Sequence, residues 1–522
     1  MTARRWVLGL LAVLVLAALI FALPAGRRPF WSSDEARFAL LAQDILENGR
    51  WLVPHLRGDL YLNKPQLYFW SIALVSLPAG RVTELTAALP SIVSALATVA
   101  AVAAIGRLLW GPSIGLLAAL VLVATPPFFA FSHAVLSDVM MTAFMTWALY
   151  FLLRAQAGSG GTGALLGFYG CIAGAVLAKG PAGLAVLAAG LVATVATRGP
   201  AALARLKPLH GAVVLAAAAV VWFAPYLVQS EGRFVSRVLV GHYTTWYLAG
   251  GLGARLGQVG ILLRNFLPWT VLLVAAVVWW RQRSDPSRRW LGAATITLVI
   301  VLGLTGHQRA RYLLPIYPGL ALLVAEFVGR ADADGGRQAL RVGAGLAAIA
   351  AGVVPFLPGL MTGDDRAYLP DSLIEQAVIV ALVLGAAASQ ALAAWRRTFV
   401  TGTVAAALCI AGLMILEGVT YPVRYARVND LRPLAEAAGR LTPAGTAVVA
   451  YPDARLSLDF YVRRPVLEAA TPEATAALAA RTGGVVVTAR SHWPALAAVL
   501  PASARVAATA EVGGRDYDVI VP

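Results

Sequence analysis

A chain of 522 residues that is 59% hydrophobic and 13% charged is not built as a soluble globular protein, since no soluble core needs so much apolar surface. Its formal net charge of +16 would suit a nucleic-acid binder if the cations shared one soluble face. They cluster instead between apolar runs, where membrane topology accounts for them, so nucleic acid is set aside as a partner. Two cysteines, Cys171 and Cys409, sit inside apolar runs without C-x-x-C spacing, which argues against a disulfide framework or a thiolate metal site.

Taken in order, the apolar runs predict crossings near 6–24, 84–105, 113–131, 134–153, 163–178, 181–197, 210–228, 257–280, 290–305, 312–329, 341–361, 373–394 and 399–419, about thirteen helices of near-spanning length. The first, behind Arg4-Arg5, has the charge pattern of a signal peptide, but its apolar run is long for one and 23–26 is a poor cleavage site, so it reads as an uncleaved helix. With a cytoplasmic N-terminus, Arg107, Arg154, Arg198, Arg205, Lys207, Arg281, Arg283, Arg288, Arg289, Arg330, Arg337, Arg396 and Arg397 all fall on the cytoplasmic side. An odd number of crossings then puts 25–83 and the C-terminal region on the outer face. From about Tyr421 charges return, and β-prone runs at 446–451, 484–488 and 517–521 alternate with helical stretches at 431–441 and 472–481. The expected fold is therefore an all-α polytopic membrane domain over 1–420, with an outer re-entrant loop at 25–83, followed by a small α/β domain over 421–522.

The stretch from Ser32 to Trp70 pairs an acidic dipeptide, Asp34-Glu35, with a helical pattern that sets Phe38, Leu41 and Ile45 against Asp44 and Glu47, and it closes on Asn63-Lys64-Pro65. Ser32 or Ser33 can cap that helix, and acids in a first turn suit its dipole. Two readings stand side by side: capping acids on an interfacial helix, or an active-site segment.

Ionisable groups within or at the ends of apolar helices are costly, so their default reading is functional. Asp138 stands in SHAVLSDVMM, Lys179 in LAKGPAGL, Arg264 with Asn265 in the first turns of the 257–280 run, and His307, Gln308, Arg309, Arg311 and Tyr312 ahead of LLPIYPGLALL. Snorkelling to the headgroups is the alternative for the Lys and Arg residues but not for Asp34 and Asp138. Together with Asp34, Glu35 and Lys64 these groups predict one outward cavity holding carboxylates and cations. Such a cavity suits transfer of a group from a lipid phosphate, with a carboxylate deprotonating the acceptor hydroxyl and cations neutralising the phosphate that leaves. No nucleotide motif appears, and a lipid-linked donor needs none.

The motifs SDEARFALLAQDILENGRWLVPHLRGDLYLNKPQLYFW, LSDVMMTAFMTWAL, LAKGPAGL, GHYTTWYL, FLPW and RYLLPIYPGLALL occur in the order of a known family. The chain resembles the bacterial GT-C membrane glycosyltransferases typified by the lipid A aminoarabinose transferase, relatives of the protein O-mannosyltransferases. The resemblance implies that Asp34 is the general base, that Lys64 contacts the donor phosphate, that Asp138 is the second acid and that Tyr312 lies near the phosphate. The full candidate set is Asp34, Asp138 and Glu35 as catalytic acids, with Lys64, Arg264, Arg311, Tyr312 and Lys179 around the phosphate. The aminoarabinose branch has a Glu where this chain has Asn63, and an Arg where it reads Thr244-Thr245-Trp246. His242 alone makes a poor site, so no metal and no other cofactor is expected, and Arg255, Arg264 or Arg311 could supply the missing cation. The activity implied is that of an inverting glycosyltransferase, moving a sugar from a polyprenyl-phosphate donor to a lipid, glycan or protein acceptor outside the bacterial inner membrane. A transporter or flippase for polyprenyl-linked glycans is the alternative; the lack of a visible inverted repeat weighs against it.

Overall fold

The computed structural model describes all residues except 159, 245–250, 281–283, 304–308, 332–335, 354–366 and 453–454. Eight of the described helices are long and apolar enough to cross a membrane, or up to ten if each of two bent pairs is one span, and the chain is a multi-pass helical membrane protein. Helices that run at its periphery turn apolar side chains outward, as Val213, Val220 and Val228 do on Pro208–Gln229. Inside, small residues let backbones approach: a Cβ on Gly115 would come 2.3 Å from the carbonyl of Ala103, so Glu84–Trp110 and Pro112–Val123 pack at glycine distance.

We label helices in order: α1 (Ala3–Ala22), α2 (Ser33–Asn48), α3 (Leu67–Ser76), α4 (Glu84–Trp110), α5 (Pro112–Val123), α6 (Pro126–Ser132), α7 (Ser137–Gln156), α8 (Gly161–Lys179), α9 (Ala185–Arg198) and α10 (Pro208–Gln229); later helices are given by residue range. Two expected crossings are broken. The 113–131 run is α5 and α6, bent by 68° at Thr125, where two successive prolines offer no N–H to a continuing helix and hold Thr125 in extended backbone. The 257–280 run is Leu252–Asn265 and Trp269–Trp280, bent by 105° just before and at Pro268. Arg264, expected in the first turns of a long helix, instead ends a short one.

Between α1 and α4 lies the segment that positions the site. Ser32 Oγ accepts from the amide of Glu35 at 3.3 Å, which starts α2, and Gly49 ends it in the left-handed conformation at φ 65°. The face carrying Phe38, Leu41 and Ile45 is buried, with Phe38 ring centroids 5.3 Å from Tyr68 and 5.8 Å from Phe69 of α3. A short hairpin, β1 (His55–Leu56) and β2 (Asp59–Leu60), connects them.

The helix Phe399–Asn429 runs on past Tyr421, because the returning charges there are paired along it: Arg424 bonds Glu417 at 2.8 Å and also pairs with Glu375. After Asp430 come β3 (Val448–Tyr451), β4 (Val466–Glu468), β5 (Val486–Ala489), β6 (Arg505–Glu511) and β7 (Asp516–Val521), in one sheet of order β4-β3-β5-β7-β6. The β4, β3 and β5 strands run parallel, while β7 is antiparallel to both β5 and β6. Alternation along β3 covers both faces: Val448 and Ala450 pack on Arg432–Leu441 and Leu456–Val462, and Val449 on Pro472–Thr482 and Trp493–Ala497. This layer sits on the α2 segment, where Arg57 bonds Asp459 at 2.7 Å and Glu468 at 2.8 Å, and Phe30 donates its amide to Tyr461 Oη at 3.0 Å.

Candidate active site

A cavity of about 290 Å³ opens between α2, the 61–64 segment, the start of α7, the end of α8 and the turn at 309–312. Its lining includes two carboxylates, Asp34 and Asp138, against five cations, Arg37, Lys64, Lys179, Arg309 and Arg311. Asp34 in the first turn of α2 accepts from Arg311 Nη2 at 2.6 Å and from Arg37, one turn along the same helix. Asp138, in the first turn of α7, is buried and bonded to Lys179, the last residue of α8. Tyr312 lies beneath both cations, with Lys179 Nζ 4.5 Å and the Arg311 guanidinium 5.5 Å from its ring centroid. The Nε of Arg311 is buried with no hydrogen-bond partner among the described residues.

Local sequence explains these placements. Lys64 precedes Pro65, which disfavours helical backbone there, and its carbonyl accepts from Tyr226 Oη of α10 at 2.7 Å, which holds its backbone at the cavity wall. Gln66 ties the same segment to the carbonyls of Leu52 at 3.1 Å and Val221 at 3.3 Å. Lys179 is followed by Gly180 at φ 93°, a conformation that lets the chain turn at once into Pro181 and leaves the ammonium at the helix end.

The electrostatics follow from burial and neighbours. Burial alone would raise the Asp34 carboxyl, but Arg311 and Arg37 outweigh it and hold it below its ordinary value. Burial, and then the neighbouring Lys179 ammonium, push Lys64 down to about 8. Burial pushes Tyr61, on the cavity wall, up to about 12.

Of the residues singled out from sequence, Asp34, Asp138, Lys64, Lys179, Arg311 and Tyr312 come together on one cavity. Glu35 and Arg264 do not line it. Successive residues of a helix point about 100° apart, so Glu35 turns away from Asp34. Its carboxylate is fully buried and fourfold bonded: to both Nη atoms of Arg28 at 2.9 Å, to the amide of Trp31 at 2.7 Å and to the amide of Val135 at 3.0 Å. Glu35 thus fastens the start of α2 to the segment entering α7, fixing Asp34 relative to Asp138. Arg264 is exposed at the C-terminal end of its short helix, where a cation suits the dipole. Arg37 and Tyr61 were not singled out from sequence; the three-residue spacing of Arg37 from Asp34 is the signal that could have found it. His307, Gln308, Thr245 and Trp246 lie outside the described residues. Among the described residues no three of His, Cys, Asp and Glu gather as a metal-ligand set.

The chain is thus a bundle of membrane helices with an acidic helix start and a cationic cavity at one end and an α/β layer packed against the segment that carries them. The chain superposes over its whole length on ArnT from Cupriavidus metallidurans bound to undecaprenyl phosphate, with TM-score 0.79, 19% identity and 99% of that chain covered. It also matches the archaeal oligosaccharyltransferase AglB from Archaeoglobus fulgidus more loosely, with TM-score 0.51, 14% identity, 94% of this chain and 71% of that one. Residues 63–228 match the dolichyl-phosphate-mannose-protein mannosyltransferase family. In sequence the chain is similar to the undecaprenyl phosphate-alpha-4-amino-4-deoxy-L-arabinose arabinosyl transferases of Yersinia enterocolitica, 28% identical over 59% of this chain and 57% of that protein, and of Erwinia tasmaniensis, 27% identical over 78% and 75%. The first of these relatives is matched over less than two thirds of its length. The resemblance carried by the motifs holds: this chain has the GT-C fold and sequence similarity to the bacterial aminoarabinose transferases.

Proposed function

We propose that the chain is an inverting glycosyltransferase that takes a sugar from a polyprenyl-phosphate donor. The observation that carries this reading is the excess of cations over carboxylates lining one cavity, five against two. The leaving phosphate is bound by Lys64, Arg311 and Lys179, with Tyr312 supporting the last two. Asp34 takes the proton of the acceptor hydroxyl as that oxygen bonds to the anomeric carbon and the bond from that carbon to the phosphate oxygen breaks. One displacement reverses the anomeric configuration. Before the donor binds, Arg37 and Arg311 stabilise ionised Asp34 and make it a weak base; a phosphate that draws Arg311 away restores its basicity. Asp138 keeps Lys179 charged and oriented.

This reading includes about thirteen crossings, the last of them continuing to Asn429, the re-entrant segment 25–83 and an α/β domain after Asp430, the latter two on the outer face of the bacterial inner membrane. It needs no metal or other cofactor. Its acceptor is a lipid, glycan or protein of the envelope. Purified protein in liposomes loaded with polyprenyl-phosphate sugar tests it: a transferase consumes donor and releases polyprenyl phosphate when acceptor is supplied, without net lipid movement. Donor that crosses the bilayer chemically unchanged would establish the flippase instead.

A further inference from the structure

The C-terminal layer meets the segment that carries Asp34 through one short helix, Leu456–Val462, whose two faces belong to two different cores. Leu458 and Val462, four residues apart, are buried in the core of the α/β layer. Leu456 and Phe460, also four apart, pack against the core of the membrane domain, and Tyr461 lies on the seam and packs against both. A helix seated on both sides cannot shift against either core without opening a void, so it carries position from one to the other.

Three consecutive residues of this helix, Asp459, Phe460 and Tyr461, hold the chain on either side of α2. Ahead of α2, the Phe30 amide donates to Tyr461 Oη at 3.0 Å, and the Phe30 ring centroid lies 4.8 Å from that of Phe460. Phe30 stands four residues before Asp34. Beyond α2, Asp459 takes both arms of Arg57 in the β1–β2 turn, at 3.0 and 2.7 Å, and Glu468 of β4 accepts from the same guanidinium at 2.8 Å. Arg57 holds left-handed backbone at φ 54°, where Asn, Asp or Gly is usual, so the turn keeps a side chain that its backbone disfavours.

The phosphate side of the cavity is supported elsewhere. Lys64 is held through Tyr226 of α10, Gln66 through the carbonyls of Leu52 and Val221, and Lys179 by Asp138. The base and the donor-binding cations therefore rest on different supports.

We infer that Tyr461, Asp459 and Arg57 are positioning residues, which fix the α2 segment and with it Asp34 at the distance from the donor that proton transfer needs, while taking no part in donor binding. The inference rests on the transferase reading and gives the C-terminal layer a role in that reaction.

The test uses the full chain in nanodiscs as wild type, Tyr461→Phe, Arg57→Glu and Arg57→Glu/Asp459→Arg, with undecaprenyl-phosphate-linked hexoses and aminopentose as donors and total envelope lipid as acceptor. It reads kcat and donor KM, undecaprenyl phosphate affinity and amide hydrogen exchange. Both single variants should lower kcat by about tenfold or more, since an error of about 1 Å in a reacting group can cost about a hundredfold, with donor KM and undecaprenyl phosphate affinity unchanged. Tyr461→Phe removes one hydroxyl and keeps the ring in the seam, so it serves if the charge reversal fails to fold. The charge exchange again sets one arginine between two carboxylates and should recover most of the loss. Amides at 30–38 should exchange about fivefold faster in the single variants, while those at 64–76 keep their protection. Wild-type kcat in either folded single variant overturns the inference, as does a charge exchange that binds undecaprenyl phosphate without regaining activity. A parallel fall of kcat and donor affinity also overturns it, since the contacts then serve the stability of the whole site, and so does unchanged exchange at 30–38. Exchange involves no turnover, so faster exchange there in a protein whose wild type transfers from none of these donors would refute the transferase reading and leave the attachment of α2 standing.

Discussion

Lys64 offers a prediction whose size can be worked from the site. Its ammonium is depressed from 10.5 to about 8 by burial and then by Lys179. The charged form, which a phosphate requires, is therefore nearly complete at about pH 7 and is lost as pH rises through about 8. A polyprenyl phosphate is already fully ionised above pH 7, so Lys64 is the group that titrates in this window. If only the ammonium form holds the phosphate, affinity falls by about tenfold per pH unit above 8, since one proton is linked to binding. Lys64→Ala loses a charge-assisted contact of about 1.5–3 kcal/mol, roughly ten- to hundredfold in affinity at pH 7, and flattens the profile. Lys64→Arg stays charged throughout and also flattens it, with weaker binding because the planar fork does not fit the space of an ammonium. Equilibrium binding of undecaprenyl phosphate to purified protein between pH 6.5 and 9.5 reads all three. A wild-type profile that is level through pH 9.5, or an Ala variant that matches wild type at pH 7, would refute the assigned role.

Three more outcomes follow. Glu35→Gln should lower thermal stability by the about 3–5 kcal/mol typical of a broken buried ion pair, while the pH profile of donor binding keeps its midpoint; a shifted midpoint with unchanged melting would make Glu35 a site acid after all. Treatment with EDTA should leave transfer unchanged, and loss restored by a divalent ion would show a metal in the reaction. A reporter active only in the cytoplasm, fused after Pro522, should stay silent; strong activity would place the C-terminal layer on the inner face.

Much of this architecture was legible because membrane helices announce themselves by run length and the basic loops by position. What could not be read was where a run is broken: Pro126-Pro127 and Pro268 divide two apolar runs whose composition is uniform across the break. The extent of the last helix was hidden for a related reason, since Arg424 resembles the start of a soluble segment until Glu375 and Glu417 are seen beside it. Within the sheet, β3, β5 and β7 were visible as β-prone runs, whereas β4 is three residues long and the largely exposed Ala-rich β6 has little apolar alternation. At the site, the unusual intramembrane charges Asp138, Lys179 and Arg311 could be collected by type, but their pairing depends on which helix ends meet. The neighbours Asp34 and Glu35 show the limit most plainly: two acids in one turn, one facing a cavity and the other tied to Arg28 and two backbone amides.

The most direct test of the central claim is sugar transfer by Asp34→Asn in a purified assay with a polyprenyl-phosphate-linked sugar. Ser32 caps α2 and asparagine has the shape of aspartate, so the variant should fold, insert and bind undecaprenyl phosphate. It cannot take a proton at neutral pH, and transfer should fall by the about 10²–10⁴-fold of a lost general base. Transfer at near wild-type rate would contradict the account and leave Asp34 as a structural partner of Arg37 and Arg311, with Asp138 the carboxylate to examine next.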